Sequence, residues 1–153
     1  MEIERKYLPR FLPPDWEQNS RSELEQAYLC IDPVLRVRKE DDSFYLTYKG
    51  KGFLAREEYN LPLNREAYEH LKTKADGLIL TKTRYRIPLA GSLIAELDCF
   101  HGDFEGLTLI EVEFPDQKSA ENFLPPDWFG REVTWEKAYS NSFLSRQRRK
   151  TSS

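Results

Sequence analysis

The chain has little cysteine. Cys30 and Cys99 are its only two, which make neither a disulfide framework nor a zinc finger. It has no long hydrophobic run either, because nothing approaches the roughly 18 apolar residues of a membrane-spanning helix. No signal peptide is visible: Glu2, Glu4, Arg5 and Lys6 stand where an apolar segment would be. There is no linker and no low-complexity stretch within the core of the sequence. Histidine is equally scarce. His70 falls in a helical pattern and His101 beside a turn, so both read as surface residues and no Ser-His-Asp set emerges. These absences exclude secreted miniproteins, membrane helices and coiled coils. The expectation is a soluble, reduced, cytoplasmic protein without a membrane partner.

What the chain does have is charge. Of its 153 residues 32% are charged, with 23 Lys+Arg against 26 Asp+Glu. So many charges in near balance require that both signs be arranged somewhere. An aromatic content of 13% argues against disorder. The length suits one domain, expected over residues 1–146, with a basic, flexible tail expected over 147–153. The string Phe-Leu-Pro-Pro-Asp-Trp occurs at 11–16 and again at 123–128. Six residues are too few for a domain repeat, and both copies read as Pro-stiffened turns anchored by Trp.

Alternation with period two dominates the sequence, and strands are its usual cause. It predicts eight strands: Met1–Leu8, Glu25–Ile31, Val34–Glu40, Ser43–Lys49, Ala55–Leu63, Ile79–Leu89, Ser92–His101 and Leu107–Phe114. Helices are fewer. Ser20 to Glu23 has a capping-box pattern for a short helical turn. Asn64, Asp116 and Thr134 are candidate caps of three more helices. The second would carry Ala120, Phe123 and Leu124, and the third Trp135, Tyr139 and Phe143.

The alternating polar residues are almost wholly ionic. The first strand offers Glu2, Glu4 and Lys6 on one face, the third Arg36 and Arg38, the fourth Lys49, and the fifth Arg56 and Glu58. The sixth offers Lys82, Arg84 and Arg86, the seventh Glu96 and Asp98, and the eighth Glu111 and Glu113. On any single strand this is the solvated face of an antiparallel sheet. Over seven strands, with basic and acidic strands segregated, a second reading gains weight. The sheet closes into a barrel with its charged faces inward. Such an interior would bind a polyanion through Arg forks and a hard divalent cation through carboxylates. If the first and last strands are neighbours, the pairs Glu2/Glu4 and Glu111/Glu113 face each other.

Glu2-Ile3-Glu4-Arg5-Lys6 is the ExExK pattern that opens the CYTH superfamily, the triphosphate tunnel metalloenzymes. The chain resembles that family well beyond the pentamer: in Gln26-Ala27-Tyr28-Leu29, Arg36-Val37-Arg38, Tyr48-Lys49-Gly50 and Arg56-Glu57-Glu58-Tyr59. The series continues through Lys82-Thr83-Arg84-Tyr85, Glu96-Leu97-Asp98-Cys99-Phe100, Gly106-Leu107, Glu111-Val112-Glu113-Phe114 and Tyr139-Ser140-Asn141. The resemblance implies an α+β, mainly β fold: an eight-stranded antiparallel closed barrel with a few helices outside. Its charged tunnel would bind a triphosphate with Mg²⁺ or Mn²⁺. By the same likeness Glu2, Glu4, Glu111 and Glu113 are metal ligands, helped by Glu58 and Asp98. Lys6, Arg36, Arg38, Lys49, Arg56, Lys82 and Arg84 cradle phosphates, and Arg86 shares their face. Lys6, Arg56, Lys82 and Tyr28 are the expected catalytic groups, although Tyr28 serves equally as packing. Asn60 is a departure, since many relatives carry a second Glu there.

Within the family, cyclases commonly carry a His-Phe pair upstream of the motif at which this chain begins. The short form is most similar to the inorganic triphosphatases. The implied function is metal-dependent hydrolysis of tripolyphosphate, with weaker action on nucleoside triphosphates. The alternatives are an adenylyl cyclase and a non-catalytic polyphosphate-binding module. A sequence pI near 5.5 argues against general nucleic-acid binding, and a homodimer stays open.

Overall fold

The alternation folds as an antiparallel sheet of ten strands in a computed structural model, which describes residues 1–147. The tail expected over 147–153 therefore lies, from residue 148 on, outside the described residues. The strands are β1 (Glu2–Pro9), β2 (Ser20–Ile31), β3 (Val34–Glu40), β4 (Ser43–Lys49), β5 (Ala55–Arg56), β6 (Glu58–Leu63), β7 (Leu80–Pro88), β8 (Ile94–Phe100), β9 (Thr108–Glu113) and β10 (Phe129–Glu132). Their order is β10-β1-β9-β8-β7-β2-β3-β4-β6, and β5 pairs with β1.

That last pairing closes the barrel. The expected strand over Ala55–Leu63 is interrupted at Glu57, and its two pieces turn to different neighbours. β6 pairs β4 from Lys49↔Glu58 to Phe44↔Leu63, while β5 pairs β1 through Glu2↔Arg56 and Ile3↔Ala55. Counting β5 and β6 as one, the ring has the eight strands the sequence predicts. β10 is an addition, paired to the far end of β1.

Most of the outward apolar faces are covered, although Tyr59 and Leu61 on β6 stay exposed. Tyr7, Leu97, Ile110 and Val112 pack beneath Phe123, Trp128 and Phe129. Ala27, Val37 and Phe44 pack under Tyr68 of α1 (Arg65–Lys72). Asn64 caps α1 as expected, its Oδ1 accepting from Ala67 N at 2.7 Å, and Asp116 caps α2 (Gln117–Glu121) through Ser119 N at 2.7 Å. α2 ends before Leu124, which is 88% exposed instead of lying on a helix face. The two Phe-Leu-Pro-Pro-Asp-Trp turns meet: Arg10 N donates to Trp128 O at 2.8 Å, and Trp16 lies edge-on to Tyr85.

Two local readings fail. Ser20 to Glu23 is strand, because β2 pairs β7 from Ser20↔Arg86 to Gln26↔Leu80, and that ladder outweighs a local cap. Thr134 caps no helix. Its hydroxyl accepts from Lys6 N at 2.9 Å and donates to Glu132 at 2.6 Å, tying the segment after β10 to β1. Trp135 is left 58% exposed. The helix begins later, as α3 (Asn141–Ser145), with Ser140 Oγ accepting from Phe143 N at 3.2 Å. Leu144 anchors α3 among Tyr28, Leu80, Phe100 and Leu109 at one end of the barrel. No helix among the described residues is long and apolar enough to cross a membrane.

Candidate active site

Because side chains alternate across a strand, an outward apolar face forces the charges inward. They line a cavity of about 220 Å³ along the barrel axis. Of its twenty lining residues eight are Lys or Arg and seven are Glu. β1 contributes Glu2, Glu4 and Lys6; β3 contributes Arg36 and Arg38; the β4 end and the seam contribute Lys49, Arg56 and Glu58. β7 adds Lys82, Arg84 and Arg86, and β9 adds Glu111 and Glu113. Tyr28 also faces the cavity, its hydroxyl accepting from Arg36 at 3.4 Å. Beside α3 the cavity meets a wider basin of about 640 Å³ that shares Lys6, Arg56, Ser140 and Ser142. Arg86, Glu96 and Glu113 also border a depression on its other side.

One expected metal ligand is placed differently. Asp98 does not line the cavity. It is wholly buried behind the wall, with Lys82 Nζ at 2.7 Å and the Arg84 guanidinium forked onto both oxygens at 2.8 and 2.9 Å. All its charge is taken up by two cations, so it orients them. Burial alone would raise its pKa, but Arg84 and Lys82 hold it below the usual carboxylate range.

The facing pairs are also different from the simplest expectation. β1 and β9 are neighbours, but their register sets Glu4 opposite Glu113 and Lys6 opposite Glu111. Glu111 is neutralised by Lys6 and Arg84, each at 3.5 Å. Glu2 is bound by Lys49 at 3.0 Å and approached by Arg56 at 3.6 Å. Glu4 and Glu113 are left facing each other, and neither side-chain carboxylate has a hydrogen bond or ion pair among the described residues. Burial, Glu58 and Glu4 push the Glu113 pKa up.

The crowding appears in other groups. Burial, Glu4 and Glu58 raise Glu2 to about 8. Burial would raise Glu58 too, but Glu2, Lys49 and Asn60 draw it to about 2. Burial and its acidic neighbours thus favour the protonated form of Glu2, while Lys49 and Asn60 favour the ionised form of Glu58. Burial lowers Lys82 to about 8 against the pull of Asp98. Burial with the nearby Arg36 and Arg84 charges lowers Arg38 to about 9. Asn60, the departure noted above, holds Glu58 through Nδ2 at 2.7 Å and accepts from Thr47 at 2.6 Å. It therefore positions a carboxylate instead of adding one.

No site role was expected of Glu40, Glu96, Ser140, Asn141 and Ser142, which also line the cavity. For Glu96 the signal was present, since it shares a face with Asp98. Ser140 and Asn141 belong to the Tyr139-Ser140-Asn141 pattern already noted, but only tertiary folding brings that C-terminal turn under the barrel.

The residues 1–139 match the family model described as CYTH domain. Over 147 residues the chain is 39% identical to an inorganic triphosphatase of Nitrosomonas europaea, covering 94% of this chain and 96% of that one. It is 40% identical over 124 residues to an inorganic triphosphatase of Acetivibrio thermocellus, covering 78% and 77%. A crystal structure of an inorganic triphosphatase superposes with a TM-score of 0.71 at 35% identity, covering 96% of this chain and 95% of that one. A putative adenylyl cyclase from Hippeastrum superposes at 0.59 over 79% of this chain and 83% of its own, and at 15% identity shares the fold alone. With a closed antiparallel barrel, an inward ionic lining and these matches along nearly its whole length, the chain belongs to the CYTH domain family.

Proposed function

We propose that the chain is an inorganic triphosphatase, hydrolysing tripolyphosphate to pyrophosphate and orthophosphate inside the barrel with Mg²⁺ or Mn²⁺ as cofactor. The observation that carries this reading is the lining of the cavity. Among the described residues its only apolar contributions are Val34 and the ring of Tyr28, and everything else is ionic or hydrogen-bonding. A bare polyanion suits such a wall, and there is little to hold an organic group within it. Arg36 Nε is buried without a partner among the described residues, a donor available to a phosphate oxygen. The relatives named inorganic triphosphatase support the same substrate.

The residues fit a divalent cation. Glu4 and Glu113 are opposed like charges without a protein partner, an arrangement that costs stability unless a cation lies between them. Oxygen-only donors suit Mg²⁺ or Mn²⁺. Among the described residues no three His, Cys, Asp or Glu side chains converge on one point, so phosphate oxygens and water would complete the shell around these two. When bound, the ion would neutralise phosphate charge and make a bound water more acidic. Lys6, Lys82, Arg36, Arg38 and Arg84 bind and align the phosphate chain, the positioning on which phosphoryl transfer chiefly depends. Water adds its oxygen to a terminal phosphorus as the bridging P–O bond breaks, and pyrophosphate leaves. Asp98 and Glu111 keep the cations in place through the change. The free thiols Cys30 and Cys99 suit a reducing cytoplasm, and residues 1–146 act as one domain.

A phosphate-release panel over tripolyphosphate, ATP and thiamine triphosphate tests the proposal. The expected outcome is a higher kcat/KM for tripolyphosphate than for ATP, with no activity in EDTA and recovery with Mg²⁺ or Mn²⁺. Cyclic AMP as the main product from ATP would replace the hydrolase reading with a cyclase.

A further inference from the structure

A chain of hydrogen bonds crosses the floor of the cavity. Arg38 Nε donates to Gln26 Oε1 at 2.9 Å, and Gln26 Nε2 donates to Asn141 Oδ1 at 3.4 Å. The same Asn141 oxygen accepts from Lys82 Nζ at 3.0 Å. Gln26 and Lys82 are fully buried, and Asn141 is 9% exposed and lines the cavity.

This network permits one orientation of each amide. Gln26 must turn its oxygen to Arg38, which can only donate, so its nitrogen faces Asn141. Asn141 meets two donors, the Gln26 amide and the Lys82 ammonium, and must offer both its oxygen. Its amide nitrogen is then turned away from the relay, and it has no acceptor among the described residues. The residue is not free to drift. It opens α3, whose Leu144 is buried in the core and whose Ser145 carbonyl accepts from Leu78 N at 2.6 Å.

We propose that Asn141 is a substrate-binding residue: its amide nitrogen donates to a phosphate oxygen in the cavity, oriented by Lys82 and Gln26. A neutral donor beside the cations adds direction without more mutual repulsion. The ammonium of Lys82 gains as well. With Asp98 and Asn141 fixing two of its three donors, the third has a set direction. The inference rests on the triphosphatase reading and names a further contact within that site.

The test compares Asn141→Asp with Asn141→Ala, reading KM and kcat for tripolyphosphate at saturating Mg²⁺, calorimetric binding and thermal melting. The aspartate keeps an oxygen for Lys82 but presents the phosphate with a negative oxygen in place of a donor. Asn141→Asp is expected to raise KM on the order of 10–100-fold, the scale of losing a hydrogen bond to a charged group. It should raise it more than Asn141→Ala while melting near the unaltered protein. If Asn141 only props Lys82, Asn141→Asp will bind tripolyphosphate normally and Asn141→Ala alone will be impaired, which overturns the proposal. Normal KM in both overturns it too. Should the aspartate variant fail to fold, Gln26→Glu decides. It removes the donor that orients Asn141, so KM should rise with kcat nearly kept, and an unchanged KM counts against the donor. Failure of the unaltered protein to hydrolyse tripolyphosphate would refute the activity instead, and calorimetric binding would still read the contact.

Discussion

Burial beside Glu4 and Glu58 favours a protonated Glu2 where a free carboxyl would be ionised, and this has a consequence for stability. Glu2 carries a pKa raised from 4.5 to about 8 by burial, Glu4 and Glu58. Between those values the folded protein binds more protons than the unfolded chain, so stability must fall as pH rises through that window. Burial also raises Glu96, in the same direction. Lys82, lowered to about 8, acts oppositely and only above that pH. The melting temperature of the metal-free protein is expected to decline from about pH 5 to about pH 8. Mg²⁺ should restore most at the upper end, where it no longer competes with protons. A flat profile would show that the carboxyls are solvated and uncoupled. At the same scale, Glu4→Gln and Glu113→Gln should each lower turnover by more than about 100-fold, the effect of losing one preorganised electrostatic group, with unchanged circular dichroism. Wild-type rates in both would move the cation elsewhere.

Among the elements, β5 and α3 do the most for the site relative to their length. β5 closes the ring with two residue pairs, and the turn before it depends on Gly52 at φ +127°. A Cβ there would sit 2.3 Å from Ala55 O, whereas one at Gly91, φ +71°, would meet nothing within 4 Å. Both substitutions to Ala carry the backbone cost of a left-handed residue, about 1 kcal/mol or more, but only Gly52→Ala adds a clash with the strand that bears Arg56. In denaturant titrations Gly52→Ala should be clearly less stable than Gly91→Ala, and its phosphate affinity should fall as well. Equal midpoints would mean the seam tolerates displacement. Leu144→Ala should cost about 2–5 kcal/mol as a core truncation. It should also weaken activity, since α3 carries Asn141.

For the whole molecule the important quantity is charge inside the barrel, not the net −3 of the chain. Eight cationic side chains stand against seven Glu in the cavity, so the protein alone is close to neutral where a highly charged polyphosphate must sit. Metal and triphosphate should therefore bind cooperatively, each raising the affinity of the other by the same factor. Calorimetry on a Glu4-intact, slow variant such as Arg38→Ala and on the unaltered protein with Ca²⁺ in place of Mg²⁺ would measure it. A gain of about tenfold or more is expected, corresponding to at least ~1.4 kcal/mol of coupling. Independent binding would mean that the cations alone compensate the phosphates. Arg38→Ala itself should weaken tripolyphosphate binding by about 1.5–3 kcal/mol, the worth of a hydrogen bond to a charged group, and less at high salt.

Period-two alternation and an ionic polar face determined the eight strands of the ring, their inward sides and all eight cavity-lining cations, because side-chain direction in a strand follows from position alone. The caps at Asn64 and Asp116 were legible for the same reason, as the bonds they make span three residues. Register was not legible. Which of Glu2 or Glu4 faces Glu113, and whether Glu111 meets a carboxylate or Lys6, depends on how two strands a hundred residues apart slide on each other. Tertiary structure decided that slide through the packing of Tyr7, Ile110 and Val112 outside the barrel. It also withdrew Asp98 behind Lys82 and Arg84, turned Ser20 to Glu23 into strand, and fixed Thr134 to β1. Most of all it brought Asn141 beneath β2 and β7, against Gln26 and Lys82. The Tyr139-Ser140-Asn141 pattern marked the segment but not its contacts, and only the closed barrel gives Asn141 two donors to satisfy.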